Sequence, residues 1–288
     1  MQMSHPKAGG RVPFLVGNWK MHKSLAEANA DLIRIGAATR TFDGHAHPES
    51  YRSGSGLRVA IAPVALHLAD LARATPRHLD IFAQNVHWES KGAFTGEHSA
   101  AMLADVHVRG SLVAHSERRQ LFAETNETAG KKIKALLDGG LEVIYCVGET
   151  AEQRAAGQLK AVLQSQIHEA IRAAGNIDWQ TCLPAPGTCR FNIAYEPVWA
   201  IGTGLAATEH EAQEAHALIR AELAQATQAS IAEGIRILYG GSVKPENIAN
   251  FIKAPDVDGA LVGGASLSPE SFEALCQASV RALAVRNF

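Results

Sequence analysis

The chain has 288 residues, 47% of them hydrophobic, and 27 Lys and Arg balance 29 Asp and Glu to a formal net charge of −2 at pH 7. This is the composition of a globular protein, and a charge so close to zero excludes blanket attraction to nucleic acid or to an anionic membrane, so an anionic ligand would need a local site. Residues 1–11 lack the apolar core of a signal peptide and no apolar stretch reaches the roughly 18 residues of a membrane span, so a cytoplasmic location is expected.

In chain order, residues 1–11 read as a flexible extension and residues 12–288 as one domain. Eight short apolar runs recur, at 14–16, 58–61, 80–83, 111–114, 142–147, 192–195, 236–239 and 259–262. None alternates apolar with polar, so each is expected to be a strand covered on both faces, the habit of a parallel sheet. Stretches of helical spacing or composition separate them, among them 24–38, 124–137, 152–174, 209–222 and 269–283. Parallel strands need crossovers, and eight such units close a barrel that commonly runs to about 250 residues as one domain. The fold expected is therefore a single-domain parallel (β/α)8 TIM barrel. A doubly wound open sheet is the alternative, but it usually has fewer strands and an early glycine-rich phosphate loop that is not found here.

Two segments, 42–56 and 177–190, read as surface additions rich in Pro, Gly and other turn residues. His45, His47 and Glu49 in the first are better explained as a solvated loop than as metal ligands, because no further ligand completes a site. The cysteines, Cys146, Cys182, Cys189 and Cys276, show no CxxC and no Cys/His ligand spacing, which fits reduced thiols better than disulfides or zinc.

Side chains just beyond the C-terminal ends of barrel strands converge on one face. The first run leads into Gly17-Asn18-Trp19-Lys20, the fourth into His115-Ser116-Glu117 and the sixth into Glu196-Pro197. Taken singly, Lys20 has an ordinary reading as a loop cation, His115 as a core histidine and Glu196 as an ion-pair partner. Together they supply a carboxylate base, a hydrogen-bond donor and a fixed cation, which is what proton transfer beside a carbonyl requires. After the seventh and eighth runs come Gly240-Gly241-Ser242 and Gly263-Gly264, where uncovered backbone N–H groups would cradle a phosphate.

The stretches Gly17-Asn18-Trp19-Lys20-Met21, Ala114-His115-Ser116-Glu117-Arg118-Arg119, Cys146-Val147-Gly148-Glu149-Thr150, the run from Ala194 to Gly204, and Tyr239-Gly240-Gly241-Ser242-Val243 resemble, in order, the signatures of the triosephosphate isomerase family. The resemblance implies interconversion of dihydroxyacetone phosphate and D-glyceraldehyde 3-phosphate through an enediolate, in glycolysis and gluconeogenesis, without cofactor or metal. It implies Glu196 as base, His115 as electrophile and Lys20 as the cation, with Asn18, Gly202, Ser242, Gly263 and Gly264 holding substrate. This family is itself the standing example of a glutamate base paired with a neutral histidine at a helix N-terminus, and of a closing lid, here Pro197 to Gly204. Ser116 is the expected N-cap after His115, and Glu117 resembles the residue that pairs with the active-site lysine. The loop around Phe94 and Glu97 resembles the one that enters a partner subunit, implying a homodimer. The sequence departs from the family at Ala114, where glycine is usual, and at Leu205, where lysine is common.

Overall fold

The structure is a computed structural model that describes residues 11–40, 56–183, 189–201 and 207–284. The extension 1–10, most of the first surface addition, part of the second, and Gly202 to Leu205 fall outside the described residues.

The strands are β1 (Phe14–Asn18), β2 (Arg58–Ala62), β3 (Leu79–Ala83), β4 (Gly110–Val113), β5 (Glu142–Val147), β6 (Phe191–Tyr195), β7 (Arg236–Tyr239) and β8 (Gly259–Val262). Each pairs in parallel with the next and β8 returns to β1, so the sheet closes. Between them run α1 (Leu25–Thr39), α2 (Leu68–Ala74), α3 (Ala100–Asp105), α4 (Ser116–Leu121), α5 (Asn126–Asp138), α6 (Ala151–Ala155), α7 (Leu159–Ala174), α8 (Trp179–Cys182), α9 (Glu209–Ala226), α10 (Ala229–Gly234), α11 (Ile248–Lys253) and α12 (Pro269–Ala284). The expected barrel and all eight expected strands are present.

Alternate residues of a strand face opposite sides, and here both sides are apolar. Phe14, Val16, Phe82, Leu112, Ile144 and Leu238 form the cluster that fills the barrel, whereas Leu15, Val59, Val113, Tyr145 and Ile193 join the larger cluster between sheet and helices. That is why the runs show no polar alternation. Several helices open on side-chain caps: Ser24 with Glu27, Thr150 with Gln153 and Thr208 with Glu211 form reciprocal capping boxes, each worth about 1 kcal/mol. The helix expected over 152–174 is two helices, because Gly157 takes φ 67° between α6 and α7, a left-handed conformation that only glycine adopts without strain. Part of the second surface addition is ordered as α8, with Asp178 capping it.

The N-terminal ends of the strands are closed by buried charge. The Arg58 guanidinium meets the Glu142 carboxylate through two bonds of 2.6 and 2.9 Å, reaches Asp80 at 2.7 Å, and stacks over the Phe14 ring at 4.4 Å. Burial disfavours charge on both groups, yet the pairing prevails: Arg58 is pushed above its ordinary range and Glu142 is held down at about 2.

Candidate active site

At the opposite end of the barrel, a pocket of about 320 Å³ is lined by Asn18, Lys20, His115, Glu196, Ser242, Gly263 and Gly264 among others. Every expected site residue that the structure describes therefore shares one cavity, although they come from five different strand ends. Gly202 lies outside the described residues.

Lys20 follows β1 with φ 50°, in the left-handed region. The turn is gripped on both sides: the Lys20 N–H donates to Asn18 Oδ1 at 3.0 Å, and its carbonyl accepts from Gln84 Nε2 at 2.8 Å. The ammonium then reaches Glu117 Oε1 at 2.6 Å. Glu117 thus pairs with Lys20, as the resemblance implied.

His115 stands just beyond β4. The expected N-cap was Ser116, but the cap is His115 itself, whose Nδ1 accepts the Glu117 N–H at 3.3 Å. Ser116 is the first helical residue, and its N–H donates instead to Glu196 Oε2 at 2.8 Å. The difference has a physical reason: a ring acceptor at the cap satisfies one helix donor and leaves a second free for the carboxylate. Because Nδ1 accepts, a neutral ring must carry its proton on Nε2, and Nε2 lies 2.9 Å from Glu196 Oε1.

Glu196 follows β6 and is almost wholly buried. Burial raises its pKa, but His115, the Ser116 N–H and Lys20 outweigh burial and hold it below the usual carboxylate range. For His115, burial works against the charged form, but the Glu196 carboxylate beside it prevails and holds the pKa above the usual imidazole value. The two groups titrate as a coupled pair. Close by, burial and the same carboxylate push the Cys146 thiol well up.

Two glycines make room for Glu196. A Cβ on Gly148 would lie 1.8 Å from the Glu196 carbonyl oxygen, and one on Gly240 would lie 3.0 Å from Glu196 Cγ. A Cβ on Gly241 would lie 2.2 Å from the Tyr239 hydroxyl oxygen. The pair 240–241, read from sequence as a phosphate cradle, thus has packing reasons of its own. At Gly264 a Cβ would meet nothing within 4 Å, so that backbone faces open space.

The sequence reading missed four contributors. Gln84 ties Lys20 to Ala62 through two carbonyls, and Lys244 and Ile201 line the pocket. Glu149 was within a quoted motif but had no assigned part. It is fully buried and accepts from Trp199 Nε1 at 2.8 Å, Tyr195 Oη at 3.1 Å and Arg154 at 3.3 Å, so it anchors the segment that follows β6. Lys244 was findable by its place after Gly240-Gly241-Ser242-Val243. Gln84 carried no signal, since its partners are carbonyls distant in sequence.

All four cysteines are unpaired and buried. Among the described residues, no group of three or more His, Cys, Asp or Glu is placed to hold a metal, and no helix is long and apolar enough to cross a membrane.

The family model described as triosephosphate isomerase matches residues 13–279. Triosephosphate isomerase of Carboxydothermus hydrogenoformans is 45% identical over 271 residues, 94% of this chain and 100% of that protein. The one from Geobacter metallireducens is 43% identical over 269 residues, covering 92% and 98%, and that from Xanthomonas campestris pv. campestris 42% over 270, covering 93% and 98%. With a closed eight-stranded parallel barrel and matches over nearly its whole length, the chain is an isomerase that belongs to the triosephosphate isomerase family.

Proposed function

We propose that this isomerase interconverts dihydroxyacetone phosphate and D-glyceraldehyde 3-phosphate with Glu196 as the base, His115 as the electrophile and Lys20 as the fixed cation. The observation that carries the assignment is the meeting of Glu196 and His115 at 2.9 Å in the pocket that Lys20 also lines. Removing a proton from carbon beside a carbonyl places negative charge on the oxygen. The Nε2–H of a neutral His115 and the Lys20 ammonium supply preorganised donors for that charge. Glu196 takes the proton from one carbon and returns it to its neighbour, while the hydroxyl proton passes from one substrate oxygen to the other, with His115 Nε2 giving a proton to one oxygen and recovering one from the other, so the step balances without an added reactant.

In the arrangement described, Glu196 accepts bonds from His115 and Ser116. To act as base it leaves both and turns toward the substrate carbon, and His115 turns its donor to the substrate oxygens. Without those donors burial dominates, and burial raises the carboxyl pKa, so the same movement makes Glu196 a stronger base. The phosphate is assigned to the backbone N–H groups of Ser242, Gly263 and Gly264 with Gly202 of the lid, supported by the open approach at Gly264 and by the three-residue helical turn Gly264–Ser266 beside it.

The homodimer belongs to the same proposal. Met21 and Leu66 are each 90% exposed and Phe122 64%, and Met21 and Phe122 flank a groove of about 380 Å³ that borders Lys20 and His115. Such apolar exposure beside a polar site is the mark of a covered face. Phe94, 41% exposed, packs on the His87 ring at 4.2 Å and is the side chain assigned to fill the partner's groove. Sedimentation at micromolar protein tests this, and a monomer with full activity would end the dimer proposal. A cytoplasmic location is supported by the four unpaired cysteines.

The deciding experiment is a coupled assay of dihydroxyacetone phosphate formation from glyceraldehyde 3-phosphate. Glu196→Gln is expected to lower kcat by at least about 10²- to 10⁴-fold, the usual worth of a general base, with the fold intact by circular dichroism. Retention of kcat would remove Glu196 from the role of base.

A further inference from the structure

Ala114 lies between β4 and His115 and is fully buried, and its φ is 58°. It is an alanine held in the left-handed region, where a Cβ crowds the following carbonyl. Something must hold it there, and the two peptide groups that flank it are both gripped. The Ala114 N–H donates to Glu124 Oε1 at 2.8 Å, and its carbonyl accepts from Arg119 Nε at 3.1 Å. These contacts set the planes on either side of the Ala114 Cα, which fixes the direction in which the chain delivers His115.

Glu124 is itself rigidly seated. Its other oxygen, Oε2, accepts from Arg118 Nε at 2.7 Å and from Lys132 Nζ at 2.7 Å, and Lys132 is tied further to Asn85 Oδ1 at 2.8 Å. Arg119 is equally fixed, with bonds to Asn126 Oδ1, Tyr145 Oη and the Cys146 carbonyl. Lys20 is held in its left-handed turn by the same device, a side-chain acceptor on its N–H and a side-chain donor on its carbonyl. No contact joins the Glu124 carboxylate to the His115 ring, so any effect of Glu124 on catalysis passes through the backbone.

From this geometry we propose that Glu124 is a positioning residue for His115, acting through the left-handed Ala114 peptide. The proposal rests on His115 being the electrophile. In Glu124→Gln, an amide cannot satisfy both sides: with its oxygen toward Ala114 its NH₂ faces two cations, and with its oxygen toward the cations its NH₂ faces the Ala114 N–H. The strained turn then relaxes and Nε2 moves off its line to the substrate oxygens.

The test is a cycle of Glu124→Gln, Ala114→Gly and the double variant in the coupled assay. Glu124→Gln is expected to lower kcat on the order of 10- to 100-fold, the scale of a displacement of about 1 Å in a catalytic group, with KM changed less than about threefold. In the Ala114→Gly background glycine keeps the left-handed turn without the clamp, so the same substitution should lower kcat by less than about threefold. An equal fall in both backgrounds, or a loss of stability with kcat unchanged, overturns the proposal. If Glu124→Gln does not fold, an amide-to-ester replacement at Ala114 deletes the donated N–H and leaves the ion pairs of Glu124 in place. Its kcat should fall in the same way, and an unchanged kcat overturns the proposal. His115→Gln measured alongside separates the two readings: if it retains full kcat the electrophile assignment fails, whereas if it alone loses kcat only the positioning by Glu124 fails.

Discussion

Two residues beside the pocket, Lys20 and Ala114, hold left-handed φ values of 50° and 58° without being glycine. For Ala114 the conformation carries roughly 1–2 kcal/mol of strain, while its buried methyl returns about 0.8 kcal/mol. Replacement by glycine removes both, so Ala114→Gly should change the urea midpoint by an amount equivalent to no more than about 1 kcal/mol. A loss of more than twice that would mean that the methyl packs in a way the strain does not offset. The buried pair makes a second prediction at this scale. His115 lowers the Glu196 pKa against burial, which raises it. In His115→Gln the balance tips toward burial, and the Glu196 carboxyl should titrate at higher pH than in the native chain, as read by NMR of ¹³C-labelled glutamate. A shift to lower pH would contradict the cause assigned here. Lys244 lines the pocket and, on the proposed function, would be a further cation for the phosphate. Being exposed and screened by salt, it should be worth a rise of only about two- to fivefold in KM when changed to alanine, with kcat held.

At the scale of the element, β5 and β6 meet beyond their last paired residues, where Gly148 lies against the backbone of Glu196. A methyl there would stand 1.8 Å from a carbonyl oxygen, and the obstacle is backbone in a closed barrel, not a side chain free to rotate. Gly148→Ala should therefore destabilise by about 3 kcal/mol or more, at or beyond the usual range of overpacking, and the displaced Glu196 should lower kcat in whatever fraction still folds. Thermal unfolding and activity measured together check both halves. The sequence showed Gly148 only as part of a motif, because the residue it abuts is 48 positions away and sequence spacing does not reveal which strands become neighbours. The helices were more legible. Ser24, Thr150 and Thr208 announce starts by chemistry that acts within three residues, whereas the break at Gly157 passed unseen inside an otherwise periodic run.

For the whole molecule, the charged floor of the barrel governs acid stability. Glu142 has an ordinary pKa of about 4.5 and is held at about 2 in the fold. Its contribution is present above about 4.5 and is lost as the pH falls toward 2, because the unfolded chain binds the proton first. Unfolding by urea should become easier through that window. Glu142→Gln leaves the buried Arg58 without its bidentate partner, so it should cost about 3–5 kcal/mol near neutrality and flatten the dependence between pH 4.5 and 2. A native chain whose urea midpoint stays constant across the window would show that the pair is not coupled to folding.

By itself the sequence determined the eight strands, their burial on both faces and the closed parallel architecture, because these follow from composition repeated at short range. It also pointed to Lys20, His115 and Glu196 as candidates that share one pocket, since each sits within two residues of a strand's C-terminal end and a barrel must bring those ends together. Tertiary structure alone decided what those residues touch. That His115 and not Ser116 caps its helix, that Glu149 anchors the segment after β6, and that Glu124 and Arg119 clamp Ala114 all depend on which polar groups face one another across the closed sheet. Hydrogen bonds are satisfied over distances of about 3 Å between groups far apart in sequence, and a linear pattern carries no record of that proximity.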